Sequence, residues 1–288
     1  MVRLLASEPN GMASTVPSLR NGSTPPAQLG GNLSTLPHAE AVPTAATATH
    51  VRQVVVMAGG KGARLLPYSA LLPKPLMPLD DMTVLELLLR RMKNAGVTDV
   101  VIAINHFGRL IEAYFGDGSS LDVRIRYTNE DRALGTAGAL GAVIDELDDN
   151  FFVTNGDLLT TLNLRRMMAA HKAVGADASI GVYAREVKID FGLIEVDEEK
   201  RLVAYREKPQ SNHLVSMGIY LLNRDAVAPH IQYNQYLDMP TLLLNMKSAK
   251  LDVRCYHEDC LWLDIGRPDD FALAQKMFKD DRKLFLEA

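Results

Sequence analysis

Glycines and cationic side chains cluster directly after the first strongly apolar segment, in the stretch Ala58–Pro78 (AGGKGARLLPYSALLPKPLMP). Glycines let backbone N–H groups approach an anion closely, and successive N–H groups can form an anion-binding concavity. Arg64 can bind two phosphate oxygens at once, whereas Lys74 acts as a compact point charge held between two prolines. The pattern predicts a phosphate-binding loop; the alternative is a tight turn with two exposed cations.

Two well-known glycine-rich nucleotide motifs fit this loop badly. The Walker motif ends in Gly-Lys-Ser or Gly-Lys-Thr at a fixed spacing, and the loop lacks that ending. The dinucleotide fingerprint fails as well because, counted from Gly60, its third glycine position is occupied by Leu65. A P-loop and a dinucleotide-binding turn are therefore disfavoured.

Two aspartates far apart in the chain are candidates for a metal site. Asp157 follows a short apolar segment, at the carboxyl end of a predicted strand, where open α/β sheets place ligands. Asp264 lies between apolar neighbours in the segment WLDIG. Together they could share Mg²⁺, which prefers hard oxygen ligands and bridges phosphates. The alternatives are a turn-forming side chain for Asp157 and a helix cap or a salt bridge for Asp264.

Two weaker motifs accompany these residues. Glu207 and Lys208, stiffened by the following proline, come directly after a predicted strand, and the alternative is a strand end with solvated charges. The small residues of Leu134–Leu140 (LGTAGAL) could let a flat ring lie against the backbone. Their alternative role is close packing of a helix on a sheet.

Alternating strand-like and helix-like segments must position these side chains. The predicted strands are Val51–Ala58, Asp99–Ile104, Val123–Tyr127, Phe151–Thr154, Ala178–Tyr183, Gly192–Val196, Arg201–Tyr205, Val215–Leu222 and Leu251–Tyr256. The predicted helices are Thr83–Ala95, Gly108–Phe115, Thr136–Leu147, Met239–Lys247 and Pro268–Lys279. The alternation up to residue 176 predicts a mostly parallel α/β sheet covered on both faces. The strand-rich remainder predicts a second, mixed sheet beside it.

Composition excludes several classes of protein. The 288 residues carry a formal net charge of −4, which argues against a nucleic-acid-coating protein. No apolar run approaches the roughly 20 residues that cross a bilayer, so no membrane partner is expected. The chain has only two cysteines, Cys255 and Cys260, which excludes a disulfide scaffold and favours a reducing cytoplasm. Together with His257 they would supply three zinc ligands, one fewer than a structural zinc site needs. Residues 1–50, rich in Ser, Thr, Pro, Ala and Gly, are expected to be a flexible low-complexity leader.

Taken together, these residues resemble the sugar-1-phosphate nucleotidyltransferase family. The resemblance covers about Val51–Lys279 and rests on AGGKGARLLP, PKPLMP, LGTAGAL, NGD, FGLIEV, EKP, SMGIY and WLDIGRPDDF, in the family's order. It is closest to the mannose-1-phosphate guanylyltransferase-like branch. It implies a Rossmann-like, mostly parallel mixed sheet flanked by helices, of the nucleotide-diphospho-sugar transferase (GT-A-like) type, with a smaller strand-rich sugar-binding part. The implied halves are a nucleotide-binding half, residues 51–176, and a sugar-binding half, residues 177–288.

The resemblance also implies a reaction. The phosphate of a sugar-1-phosphate attacks the α-phosphorus of a nucleoside triphosphate in line, and pyrophosphate leaves, with Mg²⁺ as cofactor. GTP and a mannose-type or amino-sugar phosphate are favoured, for synthesis of cell-surface glycan precursors. The alternatives are dTTP, UTP or CTP with a glucose-1-phosphate-type sugar, and a non-enzymatic regulatory paralogue that binds an NDP-sugar. A homo-oligomer is also open.

Residue roles follow from the same resemblance. Arg64 would hold the leaving pyrophosphate, Lys74 the reacting phosphates, and Asp157, also a catalytic residue, would share Mg²⁺ with Asp264. The residues implied in nucleotide binding are Ala58, Gly59, Gly60, Gly62, Asn105 and Gly135, and those implied in sugar-phosphate binding are Gly192, Glu207, Lys208 and Gly218. Ser216 and Met217 precede Gly218 where the family usually has Asn-Ala, so the identity of the sugar stays open.

Overall fold

Runs of β-branched and apolar residues form a seven-stranded sheet at the centre of the protein. The structure is a computed structural model that describes residues 51–60, 62–66, 68–105, 107–130 and 132–287, and the expected leader, residues 1–50, lies outside them. The strands are β1 (Gln53–Met57), β2 (Pro78–Leu79), β3 (Met82–Thr83), β4 (Asp99–Ile104), β5 (Arg124–Asn129), β6 (Asn150–Asn155), β7 (Leu158–Thr160), β8 (Ala178–Lys188), β9 (Leu193–Val196), β10 (Leu202–Arg206), β11 (Gln210–Asn223), β12 (Val253–His257) and β13 (Trp262–Asp264).

Helices alternate with these strands along the chain. The α-helices are α1 (Val84–Ala95), α2 (Gly108–Phe115), α3 (Gly135–Gly138), α4 (Leu164–Val174), α5 (Arg224–Val227), α6 (Met239–Ser248), α7 (Pro268–Asp280) and α8 (Arg282–Glu287). Short 3₁₀ turns lie at Ala63–Leu65, Tyr68–Ala70, Lys74–Leu76, Ser119–Leu121, Ala139–Ala142, Ile144–Glu146 and Ala228–His230. In the part of the chain that the structure describes, no helix has the length and apolar character that a bilayer span requires.

The sheet has the strand order β12-β8-β11-β6-β1-β4-β5. Strand β1 lies parallel to β4 and β6, and β4 lies parallel to β5. Strand β11 runs antiparallel to both of its neighbours, β6 and β8, and β12 runs parallel to β8. The mixed α/β sheet is confirmed, but the expectation of a second sheet beside it is wrong, because β8, β11 and β12 extend the first one.

Alternation of side chains along β1 builds two apolar layers. Val54 and Val56 pack on one face with residues of α1, α2 and α4, whereas Val55 packs on the other face with residues of α3, α5 and α6. All three valines are fully buried, as expected for a strand covered on both faces. A third apolar cluster joins α7 and α8 to the chain around Leu65 and Met77, within the stretch Ala58–Pro78 that contains the glycine-rich loop.

The predicted helix Thr136–Leu147 is wrong as a continuous element. Only residues 136–138 of this range are α-helical, as the end of α3, and two 3₁₀ turns follow. A Cβ on Gly138 would lie 2.5 Å from the carbonyl oxygen of Gln235, and one on Gly141 would lie 2.8 Å from that of Gln232. The segment therefore follows the backbone of residues 232–235 closely, and its glycines weaken helix formation.

Candidate active site

Three predicted site segments leave the sheet at the same edge, because β1, β4 and β6 are parallel neighbours. The glycine-rich loop follows β1, Asn105 follows β4, and Asp157 lies two residues after β6. Two hydrogen bonds continue the pairing beyond the strands: the N–H of Ala58 donates to Ala103 O at 2.9 Å, and that of Gly156 donates to Met57 O at 3.0 Å. The sheet thereby holds the glycine loop and the Asp157 turn side by side.

Gly62 brings the glycine-rich loop that follows β1 against Lys74. Its φ of +64° lies in the left-handed region that glycine adopts without strain, and its carbonyl oxygen accepts a hydrogen bond from Ser69 Oγ at 2.7 Å. A Cβ at this position would lie 3.1 Å from Cγ of Lys74. Gly62 therefore packs on the aliphatic stem of Lys74, whose position between two prolines in a 3₁₀ turn fixes its backbone.

Lys74 and Asp157 form an ion pair that is largely removed from solvent. The distance from Nζ to Oδ2 is 3.2 Å, and the side chains are 11% and 19% exposed. Strand β7 pairs with β13, so that Asp264 lies opposite Leu158, and Asp157 O accepts a hydrogen bond from the N–H of Ile265 at 3.0 Å. The structure thus brings Lys74, Asp157 and Asp264 together.

The carboxyl group of Asp264 lies in an environment that disfavours its charge. Burial raises its pKa, and the negative charge of Asp157 raises the pKa further, whereas Lys74 and Arg64 act in the opposite direction. A Cβ on Gly266 would lie 3.2 Å from Asp264 Oδ2 and 3.6 Å from Arg64 Nη2, which places the Arg64 guanidinium near the same carboxylate. Two carboxylates are therefore held close together with two cations beside them.

This donor set fits a Mg²⁺ ion that is completed by a ligand. No group of three or more His, Cys, Asp or Glu residues is arranged to hold a metal among the residues that the structure describes. Mg²⁺ commonly uses one or two carboxylates together with waters and substrate phosphates, rather than an all-protein cage. Asp157 and Asp264 match that arrangement, since their mutual repulsion is relieved by a cation.

Two clefts adjoin the paired aspartates. The first, here called the glycine cleft, has a volume of about 340 Å³ and includes Lys74 and Asp157 in its wall. The second, here called the tryptophan cleft, has a volume of about 520 Å³ and includes Arg64 and Asp264. Because Asp157 and Asp264 lie on adjoining segments, the two clefts meet at the carboxylates.

Most of the residues expected to bind the nucleotide line the glycine cleft. These are Ala58, Gly59, Gly60, Asn105 and Gly135. Gly62, the sixth residue expected to bind the nucleotide, packs against the Lys74 side chain instead. The side-chain amide of Asn105 donates a hydrogen bond to the carbonyl oxygen of Gly59. The lining is glycine-rich and partly apolar on the side of the loop, as a site for a flat ring requires.

The tryptophan cleft combines an aromatic wall with charged groups. Tyr183 and Trp262 lie with their ring centroids 5.5 Å apart and their planes at 40°, and the indole N–H donates to Met217 O at 3.0 Å. Arg185 and Arg267 contribute further positive charge to the cleft. Aromatic faces beside hydrogen-bonding groups suit a ring that carries hydroxyl groups and a phosphate.

Gly218 lies between the two halves of the site. It falls in a register shift of β11, between Ser216 and Tyr220, where the regular pairing with β8 is interrupted. A Cβ on Gly218 would lie 2.6 Å from Nδ2 of Asn155, a residue that lines the glycine cleft. The interruption thus places β11 directly against the carboxyl end of β6.

The other three residues expected to bind the sugar phosphate lie on an exposed arm formed by β9, β10 and their flanking segments. A Cβ on Gly192 would overlap the Tyr205 ring, whose hydroxyl group donates to Glu207 Oε2 at 3.1 Å. Glu207 and Lys208 are exposed. Among the described residues, Gly192, Glu207 and Lys208 do not line either cleft. The arm that carries them lies beyond the last residue pair of β8 and β11, Lys188 and Gln210. Their contact with a sugar stays a prediction.

Several lining residues were missed at the sequence level. Glu130 comes directly after β5, at the same sheet edge as Asn105, and its place at a strand end was an available signal. Tyr183 and Arg185 lie two residues apart on β8, hence on one face of the strand, and both line the tryptophan cleft. Arg267 precedes α7 and lies within the WLDIGRPDDF motif, which gives it no signal of its own.

Comparisons with known proteins identify the family of the chain. The family model described as Nucleotidyl transferase matches residues 53–281. A mannose-1-phosphate guanylyltransferase of Mycobacterium tuberculosis is 32% identical over 229 residues, which cover 78% of this chain and 64% of that protein. A D-glycero-alpha-D-manno-heptose 1-phosphate guanylyltransferase of Campylobacter jejuni is 28% identical over 221 residues, which cover 76% of this chain and 96% of the relative.

A solved structure shares the fold. It is HddC from Yersinia pseudotuberculosis complexed with GMP-PN, which superposes with a TM-score of 0.61 at 20% sequence identity, over 79% of this chain and 99% of that one. The predicted fold and the predicted family resemblance are thereby confirmed. Since the family model covers nearly the whole described part of the chain, the chain belongs to the nucleotidyl transferase family.

Proposed function

We propose that the protein condenses a nucleoside triphosphate, with GTP favoured, with a mannose-type or amino-sugar 1-phosphate to give an NDP-sugar and pyrophosphate. The observation that carries this proposal is the cluster of Lys74, Asp157 and Asp264 at the junction of two clefts of unlike character. One cleft offers glycines and a flat apolar wall, and the other offers aromatic rings and arginines. The guanylyltransferase names of the similar proteins support GTP.

In this proposal the glycine cleft holds the nucleotide and the tryptophan cleft holds the sugar phosphate. A phosphate oxygen of the sugar-1-phosphate forms a bond to the α-phosphorus, and the bond to the leaving pyrophosphate breaks with its electron pair. The attacking phosphate is already ionised, so no general base is needed. Lys74 and Arg64 offset the charge of two polyanions that would otherwise repel each other, so catalysis consists of positioning and charge neutralisation.

We further propose that Asp157 and Asp264 hold Mg²⁺ when the nucleotide is bound. The ion would supply positive charge at the α-phosphate and a template for its oxygens. Asp157 is also oriented by its ion pair with Lys74, which keeps the lysine at the same reacting phosphate.

Cys255 and Cys260 are both free thiols, which supports a reducing cytoplasm as the site of the reaction.

The test is a grid of GTP, ATP, UTP, CTP and dTTP against mannose-, glucose- and amino-sugar 1-phosphates, with Mg²⁺ and pyrophosphate release as the readout. We expect the highest kcat/KM with GTP and a mannose-type phosphate. Preference for UTP, dTTP or CTP with glucose-1-phosphate would establish the alternative specificity. Saturable NDP-sugar binding without pyrophosphate release from any pair would overturn the enzyme and favour a regulatory binding protein.

A further inference from the structure

A further cavity lies where the C-terminal end of α1 meets the N-terminal end of α4. It has a volume of about 480 Å³ and, among the residues that the structure describes, shares no lining residue with the glycine cleft or the tryptophan cleft. The proposed reaction does not use it. We call it the basic cavity, and its wall includes Arg91, Lys93, Asn94, Asn163, Leu164 and Arg165.

Arg91 is a buried residue whose hydrogen-bond donors are only partly used. It is 3% exposed, and its Nη1 and Nη2 atoms donate to Phe285 O at 3.0 Å and to Leu162 O at 2.9 Å. Its Nε atom is buried and has no hydrogen-bond partner in the described part of the chain. A guanidinium carries more N–H donors than these two carbonyl oxygens accept, so Arg91 keeps donors for another acceptor.

The positive charge of Arg91 also lacks a counter-charge. Both hydrogen bonds go to neutral carbonyl oxygens, whereas buried charges are normally paired. Burial lowers the pKa of Arg91 to about 10, and Cys260 and Glu258 act in the opposite direction. Glu258 itself accepts hydrogen bonds from the N–H of Asn163 and, at 2.8 Å, from the Tyr256 hydroxyl group. An anion in the cavity would supply Arg91 with a partner.

A second arginine and a helix terminus add positive potential to the cavity. Arg165 is exposed, and its Nη2 atom donates to Asn94 O, a neutral acceptor. It is the second residue of α4, an 11-residue helix whose first N–H groups and dipole favour an anion at this end. Lys93 adds little charge, because it is ion-paired with Asp122.

The C-terminal end of α1 carries partial negative charge in the same wall, but its carbonyl oxygens are occupied. Lys93 O accepts the N–H of Gly96 at 2.8 Å, and Asn94 O accepts the Arg165 guanidinium. These oxygens therefore do not compete for the donors of Arg91.

We propose that the basic cavity binds a phosphoryl dianion, either free phosphate or the phosphate group of a small metabolite. Guanidinium groups match phosphate oxygens in geometry, and the N-terminus of α4 supplies backbone donors beside them. The described lining includes no aromatic side chain, which disfavours a nucleobase. The inference does not depend on the proposed function.

Arg91 links this cavity to the strands of the candidate active site. Its acceptor Leu162 O lies between β7 and α4, and the N–H of Leu162 donates to Thr160 Oγ1 at 3.1 Å. The Thr160 hydroxyl group donates to Leu261 O at 2.8 Å, directly before β13. Because β7 begins one residue after Asp157, an anion that fixes Arg91 also restrains the segment that follows this aspartate.

Hydrogen–deuterium exchange of the full chain, measured on peptides by mass spectrometry, locates the anion. Potassium phosphate is compared with potassium chloride at equal ionic strength. We expect phosphate to slow exchange in residues 161–167 and 282–287, which include the backbone partners of Arg91 and the first turn of α4. Equal exchange of these peptides in the two salts would overturn the proposal.

The matched variants are Arg165→Gln and Arg166→Gln. Both arginines are exposed neighbours on α4, and only the first lines the cavity. By calorimetry we expect the Kd for phosphate to rise about tenfold or more in Arg165→Gln, which loses a charged donor, and to stay near the wild-type value in Arg166→Gln. An equal effect of the two substitutions would refute the site.

Arg64→Gln separates this site from phosphate bound in the tryptophan cleft. The Arg165-dependent binding should persist in that variant, and its loss would place the anion in the active site and overturn the proposal. Titration with glucose 6-phosphate distinguishes the two sources of the phosphoryl group. Tighter binding than that of inorganic phosphate would assign a phosphorylated metabolite, and equal or weaker binding would assign phosphate itself. Absence of saturable, Arg165-dependent binding of both would refute the site, whichever nucleotide and sugar the enzyme accepts.

Discussion

Asp264 is a carboxyl group whose surroundings in the folded protein disfavour its ionised form. Its pKa is raised by burial and by the charge of Asp157. A carboxyl group with a raised pKa in the folded state adds stability below its unfolded pKa, and this contribution is lost as the pH rises through the folded pKa. At neutral pH the ionised group is therefore held at a cost in stability, which the proposed Mg²⁺ would relieve.

Asp264→Asn should accordingly be at least as stable as the wild-type protein at pH 7, yet lose turnover by about 100-fold or more, since a proposed metal ligand is removed. Pyrophosphate release and thermal melting measure the two effects. Asp280→Asn, in an exposed ion pair with Lys276, is the control and should change neither by much. Near-native turnover of Asp264→Asn would contradict the metal assignment.

Lys74→Met keeps most of the aliphatic stem that packs on Gly62 but removes the charge. We expect turnover with saturating substrates to fall by about 10²–10³-fold, the range typical of losing one preorganised charge-stabilising group. The measurement is single-turnover NDP-sugar formation. Lys93→Met, which removes an exposed ion pair with Asp122, serves as the control. An unchanged rate in Lys74→Met would contradict any role of the lysine charge in turnover.

The residues whose chemistry depends on short motifs could be predicted from the sequence. The glycine loop, Lys74, Asp157 and Asp264 were singled out because their types and spacing are typical of phosphate and metal chemistry. The structure brings Lys74, Asp157 and Asp264 together, and their roles stay predictions. Glu130 was not, because an isolated glutamate after a strand has no distinguishing neighbours; only its burial without a partner marks it. Burial and pairing are properties of the assembled cleft.

At the scale of elements, the polar contacts of a helix can be as informative as its apolar face. Helix α4 packs on the sheet through Leu164 and Met167, and His171 lies in the same buried stripe. The His171 ring contacts Ser179 Oγ at 2.9 Å and Asn150 Oδ1 at 3.0 Å. Burial, with a smaller effect of Lys172, lowers the pKa of His171 to about 4.

The helix should therefore make folding sensitive to mild acid. A histidine with a lowered folded pKa adds stability that is present above its unfolded pKa of about 6.5 and is lost as the pH falls toward 4. Between pH 7 and pH 5 we expect the wild-type protein to lose about 1–2 kcal/mol more than His171→Gln. Urea unfolding at both pH values measures this. The exposed His213→Gln should lose as much as wild type, and an equal loss in all three proteins would count against the prediction.

The ends of α1 and β4 were predicted to within a few residues, because their apolar residues recur regularly along the sequence. The α1 N-terminus follows from Thr83, whose side chain accepts the N–H of Glu86 at 3.1 Å, and its end follows from Gly96. Helix α4 was missed because a polar histidine occupies a core position of its apolar stripe. The helix expected over residues 136–147 failed because a distant segment, residues 232–237, decides its path.

At the scale of the whole molecule, β11 joins the strands of the two expected halves, residues 51–176 and 177–288, into one sheet. It pairs with β6 on one side and with β8 on the other, and its residues Ile219, Leu221 and Leu222 are fully buried. A boundary near residue 176, as expected from the sequence, is therefore not a boundary of the sheet. The functional division into halves stays a prediction, but the hydrophobic core is shared.

A fragment of residues 51–176 should consequently fail to fold. It would retain β1, β4, β5 and β6, but the apolar edge of β6 would be unpaired and one face of the sheet would lose α5 and α6. Circular dichroism melting and amide dispersion in NMR spectra measure this, with residues 51–288 as the control. A cooperative melting transition in the fragment would show that the first half is an independent domain.

The placement of β11 also imposes an order on biosynthesis. On the ribosome, β6 is complete long before residues 210–223, which cover its edge, have been translated. At about 5–20 residues per second that delay lasts several seconds. During each round of translation the apolar edge of β6 thus stays unpaired until β11 has been synthesised, and the sheet closes only then.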